Sequence, residues 1–226
     1  MCGRYSLDDI TNRFASRFKV ANYIGDIKPR YNVAPQQAMP VIISKKERGR
    51  QLRIADAMQW GLIPSWTKDL KKAVRPINAK AETVGELPSF RGPFRQKRCL
   101  VPASSFFEWQ QSAQGKVPYL IHLKGEGLFA FAGIYDEWFS PDGSELRTYC
   151  IITTEPNSLM EGIHNRMPVI LRPGDEDLWL SSGVNPHQLA ALLKPYNAEE
   201  MEAYPVSTLV NKPQNDFPEI IRMATQ

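Results

Sequence analysis

The chain has 226 residues, enough for one substantial hydrophobic core, and 42% of its side chains are hydrophobic against 23% charged, which excludes an intrinsically disordered protein. Its longest apolar runs, such as "LFAFAGIY" at 128 to 135, fall far short of the roughly 20 residues that span a bilayer as a helix. A formal charge of +4, from 28 basic and 24 acidic residues, is compatible with a polyanionic partner without demanding one.

The chain opens "MCGR", which puts a cysteine directly behind the initiator methionine. Removal of Met1, usual when the second residue is small, makes Cys2 the terminus and leaves an amine and a thiol on adjacent carbons. Ser6 followed by Asp9 resembles a capping box, and Leu7, Ile10, Phe14 and Phe18 repeat at helical spacing, so a first helix is expected immediately after MCGR. Asp8, Asp9, Arg13, Arg17 and Lys19 interrupt any signal-peptide core, and a reducing cytoplasm is the expected location. Free thiols are then expected at Cys2, Cys99 and Cys150, and without a Cys-x-x-Cys spacing no metal is expected.

Beyond Gly25 the pattern changes to short β-like runs: "PVII" (40 to 43), "RCLVP" (98 to 102), "SFFEW" (105 to 109), "PYLIHL" (118 to 123), "LFAFAGIY", and "TYCIIT" (148 to 153). Strand following strand predicts an α+β fold, a single domain over 1 to 226 with a largely antiparallel, barrel-like β core flanked by short helices. Helices are expected to return at 156 to 162 and at 187 to 194. Basic residues gather in "KKERGR" (45 to 50), "KDLKKAVR" (68 to 75) and "FRGPFRQKR" (90 to 98), whereas acidic ones concentrate after residue 136. Taken alone, such runs are ordinary solvated faces.

Three internal residues carry chemistry of their own. Glu108 lies in a strand where period 2 puts it on the side of Phe106 and opposite Phe107 and Trp109. Aromatic neighbours desolvate a carboxylate and raise its pKa, which makes Glu108 the general acid/base candidate. His164 follows a segment opened by Pro156 and closed by Gly162, so it is placed in a loop as a proton carrier, whereas His122 and His187 read as structural or exposed. Asn78 both donates and accepts, which suits orienting the terminal amine or a substrate hydroxyl. Of the tryptophans, Trp66 and Trp109 are candidates for stacking on a ligand, and Trp60 reads as a core residue.

The stretches "RYNVAP" (30 to 35), "WGLIPSW" (60 to 66), "INAKAET" (77 to 83), "FFEW" (106 to 109) and "IHNRMP" (163 to 168), taken with MCGR, resemble in order and spacing the SRAP family, the SOS-response-associated peptidase fold, as far as "VSTLVN" at 206 to 211. The resemblance implies a sensor and shield of abasic sites in single-stranded DNA. An α-amine of pKa roughly 7.7 to 8.0 and a thiol near 8.5 both attack an aldehyde, closing a five-membered thiazolidine. It further implies catalytic roles for Cys2, Asn78, Glu108 and His164, and DNA contacts at Arg4, Pro35, Lys80 and Arg166 beside the two tryptophans. Many relatives carry Arg where this chain has Lys80, so a point charge replaces a bidentate fork. No cofactor is implied, because the substrate supplies its own electrophile, and a monomer is the default expectation. Two rivals stand: a non-covalent single-strand binder, and an N-terminal-nucleophile amidohydrolase or peptidase using Cys2. The latter lacks the Ile that usually follows Met-Cys-Gly in such enzymes.

Overall fold

The computed structural model describes residues 2–9, 12–24, 28–47, 49–113, 115–125 and 127–224. In chain order the elements are β1 (Tyr5–Leu7), α1 (Asn12–Phe18), β2 (Val20–Ile24), β3 (Arg30–Val33), β4 (Ala38–Glu47), β5 (Arg50–Trp60) and β6 (Asn78–Lys80). There follow α2 (Pro88–Gln96), β7 (Arg98–Ala103), β8 (Ser105–Ser112), β9 (Gly115–Leu123), β10 (Phe129–Phe139) and β11 (Glu145–Thr154). The chain closes with β12 (Met167–Pro168), β13 (Ile170–Leu171), α3 (Glu176–Leu180), α4 (Pro186–Ala191) and β14 (Met201–Pro205), besides three short 3₁₀ turns.

Two sheets organise these strands. One runs β14-β9-β8-β1-β3; the other runs β12-β11-β10-β7-β4-β5-β2, with β6 added to β11 and β13 to β10. An additional parallel pairing, Thr148↔Gln59 and Tyr149↔Trp60, joins β11 to β5 and closes strands β4, β5, β11, β10 and β7 into a ring. Closure removes the two edges that an open sheet of these strands would expose. The expected α+β, barrel-like body is present.

The apolar runs become strands because they are rich in β-branched and aromatic side chains and are buried. Residues 39–43 of β4 and 129–134 of β10 are buried without interruption, as strands covered on both faces require. Inside, Tyr5 packs edge-on against Trp60 with ring centroids 5.2 Å apart and against Phe131 at 6.0 Å. Its hydroxyl lies 2.8 Å from that of Tyr149, whose ring stacks on Trp60.

Three local expectations are corrected. No helix follows MCGR directly: residues 5–7 form β1, Ser6 hydrogen-bonds through Oγ to Ser105 Oγ at 2.7 Å instead of capping, and the helix starts only at Asn12. Pairing on both sides of β1 outweighs a cap on a helix this short; Ile10, part of the helical pattern, lies outside the described residues. Residues 158–163 form turns instead of the helix expected over 156 to 162. There Asn157 Oδ1 takes the Met160 N–H at 3.0 Å, the side-chain competition that makes Asn a turn former. Finally, α2 went unread inside the basic run at 90 to 98, because its Gly92 and Pro93 disguise a buried face of Phe90, Pro93 and Phe94.

One position on β10 admits no side chain. A Cβ on Gly133 would lie 2.7 Å from Val101 Cγ2 and 2.8 Å from Cys99 Sγ on the neighbouring β7. Gly133→Ala is therefore expected to destabilise the fold by about 1–3 kcal/mol through overpacking. Urea denaturation checks this, and an unchanged midpoint would mean the two strands part without cost.

Candidate active site

The first described residues run alongside β8. Tyr5 pairs with Phe106 and Ser6 with Ser105, and the Phe107 N–H donates to Arg4 O at 2.9 Å. Continuing that register sets Cys2 and Gly3 level with Trp109 and Glu108. Cys2 is fully buried, and its Sγ points to Arg4 O at 3.8 Å. From the other side Asn78 Nδ2 donates to the Cys2 carbonyl at 2.8 Å, and β6, which carries Asn78, is itself held in parallel on β11. Asn78 therefore grips the backbone of Cys2, a contact not foreseen from sequence. Its Oδ1 is buried with no hydrogen-bond partner among the described residues.

Glu108 sits where the alternation of β8 puts it. Phe106 faces the main core, Phe107 and Trp109 pack with a smaller cluster on the opposite side, and Glu108 is 3% exposed. Burial raises its carboxyl from an ordinary 4.5 to about 7. Burial also pushes the Cys2 thiol far above the usual thiol range, and the Glu108 charge adds to the effect. His164 Nε2 stands 4.0 Å from Glu108 Oε2. Because His164 Nδ1 accepts the Arg166 backbone N–H at 3.1 Å, the proton of the neutral ring belongs on Nε2, directed at Glu108. Burial lowers the imidazole pKa and favours that neutral form. The loop is held by Ile163 and His164 N–H groups on Met160 O, both at 2.8 Å, and by Gln110 Nε2 on Gly162 O at 2.7 Å. Gln110, two positions after Glu108 on β8, was missed because its partner is a backbone carbonyl remote in sequence.

Of the residues expected to meet DNA, Arg4, Trp109 and Arg166 are tied to this centre. Arg4 Nη1 donates to Asn32 Oδ1 and to Val210 O, each at 2.7 Å, and its guanidinium lies over the Trp109 ring at 5.9 Å. Trp109 Nε1 in turn donates to Asn211 Oδ1 at 2.7 Å. Asn32 was quoted only as part of a motif, yet it is fully buried and its Nδ2 donates to the carbonyls of Val210, Lys212 and Asn215. Asp216 accepts the N–H groups of Tyr31 and Asn32 at 2.6 and 2.9 Å and pairs with Arg30. A C-terminal strap is thereby bound beside Arg4. Arg166 meets Glu82 in a two-bond fork, at 2.6 and 2.9 Å. Lys80 is exposed on β6 two residues from Asn78, Trp66 is 63% exposed, and Pro35 is partly exposed in the turn between β3 and β4. The fold thus gathers Cys2, Asn78, Glu108 and His164, with Arg4, Trp109 and Arg166 at the rim and Lys80 two residues from Asn78, while Trp66 and Pro35 stand on separate segments, the loop after β5 and the turn before β4.

A separate cleft of about 350 Å³, lined in part by Ser6, Asp8, Arg13, Ser105, His122 and Tyr204, opens near the far end of β1 and contains none of the four central residues. Among the described residues no cluster of three or more His, Cys, Asp or Glu side chains is placed to hold a metal ion, and no helix is long and apolar enough to cross a membrane.

Residues 1–213 match the model of the family described as SOS response associated peptidase (SRAP). The Abasic site processing protein YoqW of Bacillus subtilis (strain 168) is 47% identical over 225 residues, covering 98% of this chain and 99% of that protein. The Abasic site processing protein HMCES of Gallus gallus is 37% identical over 227 residues, covering 87% of this chain and 67% of its own length. Among solved structures, a crystallised protein from Bacteroides thetaiotaomicron superposes with a TM-score of 0.88 at 34% identity, over 99% of this chain and 100% of that one. A Bordetella bronchiseptica protein at 22% identity shares the fold, with a TM-score of 0.79 over 91% of this chain and 100% of that one.

The Glu108 carboxyl binds its proton more tightly in the folded chain than in the unfolded one, so ionising it works against the fold. Its destabilising effect is absent below about pH 4.5 and grows until the pH passes about 7. Wild-type protein is accordingly expected to lose stability relative to Glu108→Gln across that interval when unfolding free energies are measured in denaturant. Parallel pH profiles for the two proteins would show that burial does not shift this carboxyl.

Proposed function

We propose that this chain, which belongs to the SOS response associated peptidase family, processes abasic sites in single-stranded DNA by joining them covalently to Cys2. The observation that carries the reading is a fully buried cysteine just ahead of β1, its carbonyl held by Asn78, in the field of a buried carboxyl that itself has an imidazole 4.0 Å away. The names of the relatives supply the substrate.

Removal of Met1 frees the Cys2 amine. An abasic deoxyribose opens from hemiacetal to aldehyde, and His164, with its proton on Nε2, carries protons between the sugar oxygens. The amine then adds to the aldehyde carbon. Glu108, its pKa raised to about 7 and so still partly protonated near neutral pH, gives its proton to the departing hydroxyl, which leaves as water and produces the protonated Schiff base. The thiol gives its proton to the Glu108 carboxylate, the sulfur adds to the same carbon, the nitrogen keeps its hydrogen as it becomes neutral, and a thiazolidine closes with one water lost overall and the Glu108 carboxyl restored. One Cα–Cβ bond holds amine and sulfur together, so closure has a high effective molarity. Asn78 keeps the Cys2 backbone in register, and its buried Oδ1 is available to an N–H of the terminal amine. Arg4, Lys80 and Arg166 provide phosphate contacts, and Trp66, Trp109 and Pro35 meet the bases flanking the gap. The peptidase of the family name is accommodated by the same groups acting on the chain's own Met1–Cys2 bond.

A denaturing gel distinguishes this from passive binding. Incubation with a single-stranded oligonucleotide bearing an abasic site is expected to give a band stable to heat, salt and denaturant. Its mass should equal processed protein plus DNA less one water. An intact oligonucleotide and Cys2→Ala should give none, and Glu108→Gln should slow the reaction by about 10²-fold or more. A complex that forms equally with Cys2→Ala and dissolves in salt would replace the covalent reading with phosphate-driven binding.

A further inference from the structure

The rim arginine is already engaged. Of the five N–H groups of a guanidinium, Arg166 gives one from Nη1 and one from Nη2 to the two oxygens of Glu82, and Nη2 donates again to Thr153 O at 2.6 Å. Its Nε is buried with no partner among the described residues. A single Nη1 hydrogen is left for anything outside. A guanidinium in this condition cannot present a fork to a phosphate, although carboxylate and phosphate fit the same fork.

The two partners differ in freedom. The Arg166 side chain is 16% exposed, whereas Glu82 is 51% exposed on the turn that follows β6. Arg166 stays put, fixed by Thr153 O and by its own backbone bond to His164 Nδ1. Glu82 can swing away. The guanidinium holds the Glu82 carboxyl below the usual carboxylate range, and Lys80 contributes in the same direction, so a cation is at hand for the carboxylate once it leaves.

We propose that Glu82 is a positioning residue for DNA binding: its carboxylate occupies, in the free protein, the Arg166 fork that a backbone phosphate takes over in the complex. This rests on the reading of Arg166 as a phosphate contact. Each binding event is then an exchange of anions, and the fork adds little to the affinity for intact DNA. An abasic strand is retained all the same, because the covalent bond follows.

The test is a double-mutant cycle on an intact single-stranded oligonucleotide, read by fluorescence anisotropy, with thermal melting to establish that each variant is folded. Glu82→Gln is expected to tighten binding on the order of twofold to fivefold, the size of a half-exposed ion pair. The gain should vanish in Arg166→Ala, and Glu82→Asp should behave as wild type. On abasic DNA the half-saturating concentration should fall by the same factor while the maximal crosslinking rate constant stays unchanged. A gain that persists without Arg166 would reduce the effect to general charge removal. A lower maximal rate in Glu82→Gln would make Glu82 a strut of the His164 loop; either result overturns the proposal. If Arg166→Ala binds like its parent in both the Glu82 and the Glu82→Gln backgrounds, the phosphate-contact reading itself fails, an outcome distinct from the other two.

Discussion

The site depends on Tyr5 being pegged into the core just after Cys2. Its ring sits between Trp60 and Phe131, its hydroxyl meets Tyr149, and its backbone is paired on both sides, with Val33 and with Phe106. The first residues of a domain are ordinarily loose unless something ties them down. Here the tie is part of the main core, so positioning Cys2 costs no separate ordering. The far end of the chain is drawn to the same place: Asn32 and Asp216 hold the strap at 210 to 216, and Val210 takes a hydrogen bond from Arg4. Early and late segments therefore support one another across more than 200 residues of sequence.

The same burial sets the electrostatics. A thiol, a carboxyl and an imidazole placed together in a poorly solvated spot all favour their uncharged forms. Such a centre resists charging and keeps protons within easy reach, while permanent charge is carried by Arg4 and Arg166 at the rim and by Lys80 beyond it. That division suits the reaction proposed above, whose steps transfer protons at the centre and whose substrate carries its charge along the flanks.

Much of this arrangement was legible from the residues. The six β-like runs fall on strands β4 and β7 to β11, with only Leu128 left outside, and period 2 put Glu108 on the side of β8 away from Phe107 and Trp109, because alternation is a local property. Ser6 and Asp9 misled for an equally local reason: a capping pattern has no means of registering that β3 and β8 wait on either side. Asn32, Gln110 and Glu82 escaped because each works on a partner distant in sequence, a backbone carbonyl for the first two and Arg166 for the third. No periodicity or motif of an isolated chain marks such pairings. Tertiary structure alone brings them together.

The buried state of Cys2 also bears on how long the protein stays usable. Peroxides and soft electrophiles react with thiolates, and with exposed ones first. A fully buried sulfur that keeps its hydrogen is a poor target, and is spared conversion to sulfenic acid while the molecule waits. If Cys2 is the nucleophile of the proposed reaction, it is in effect stored under cover, so that the arrival of a lesion, and not the oxidative state of the surroundings, decides when it is spent.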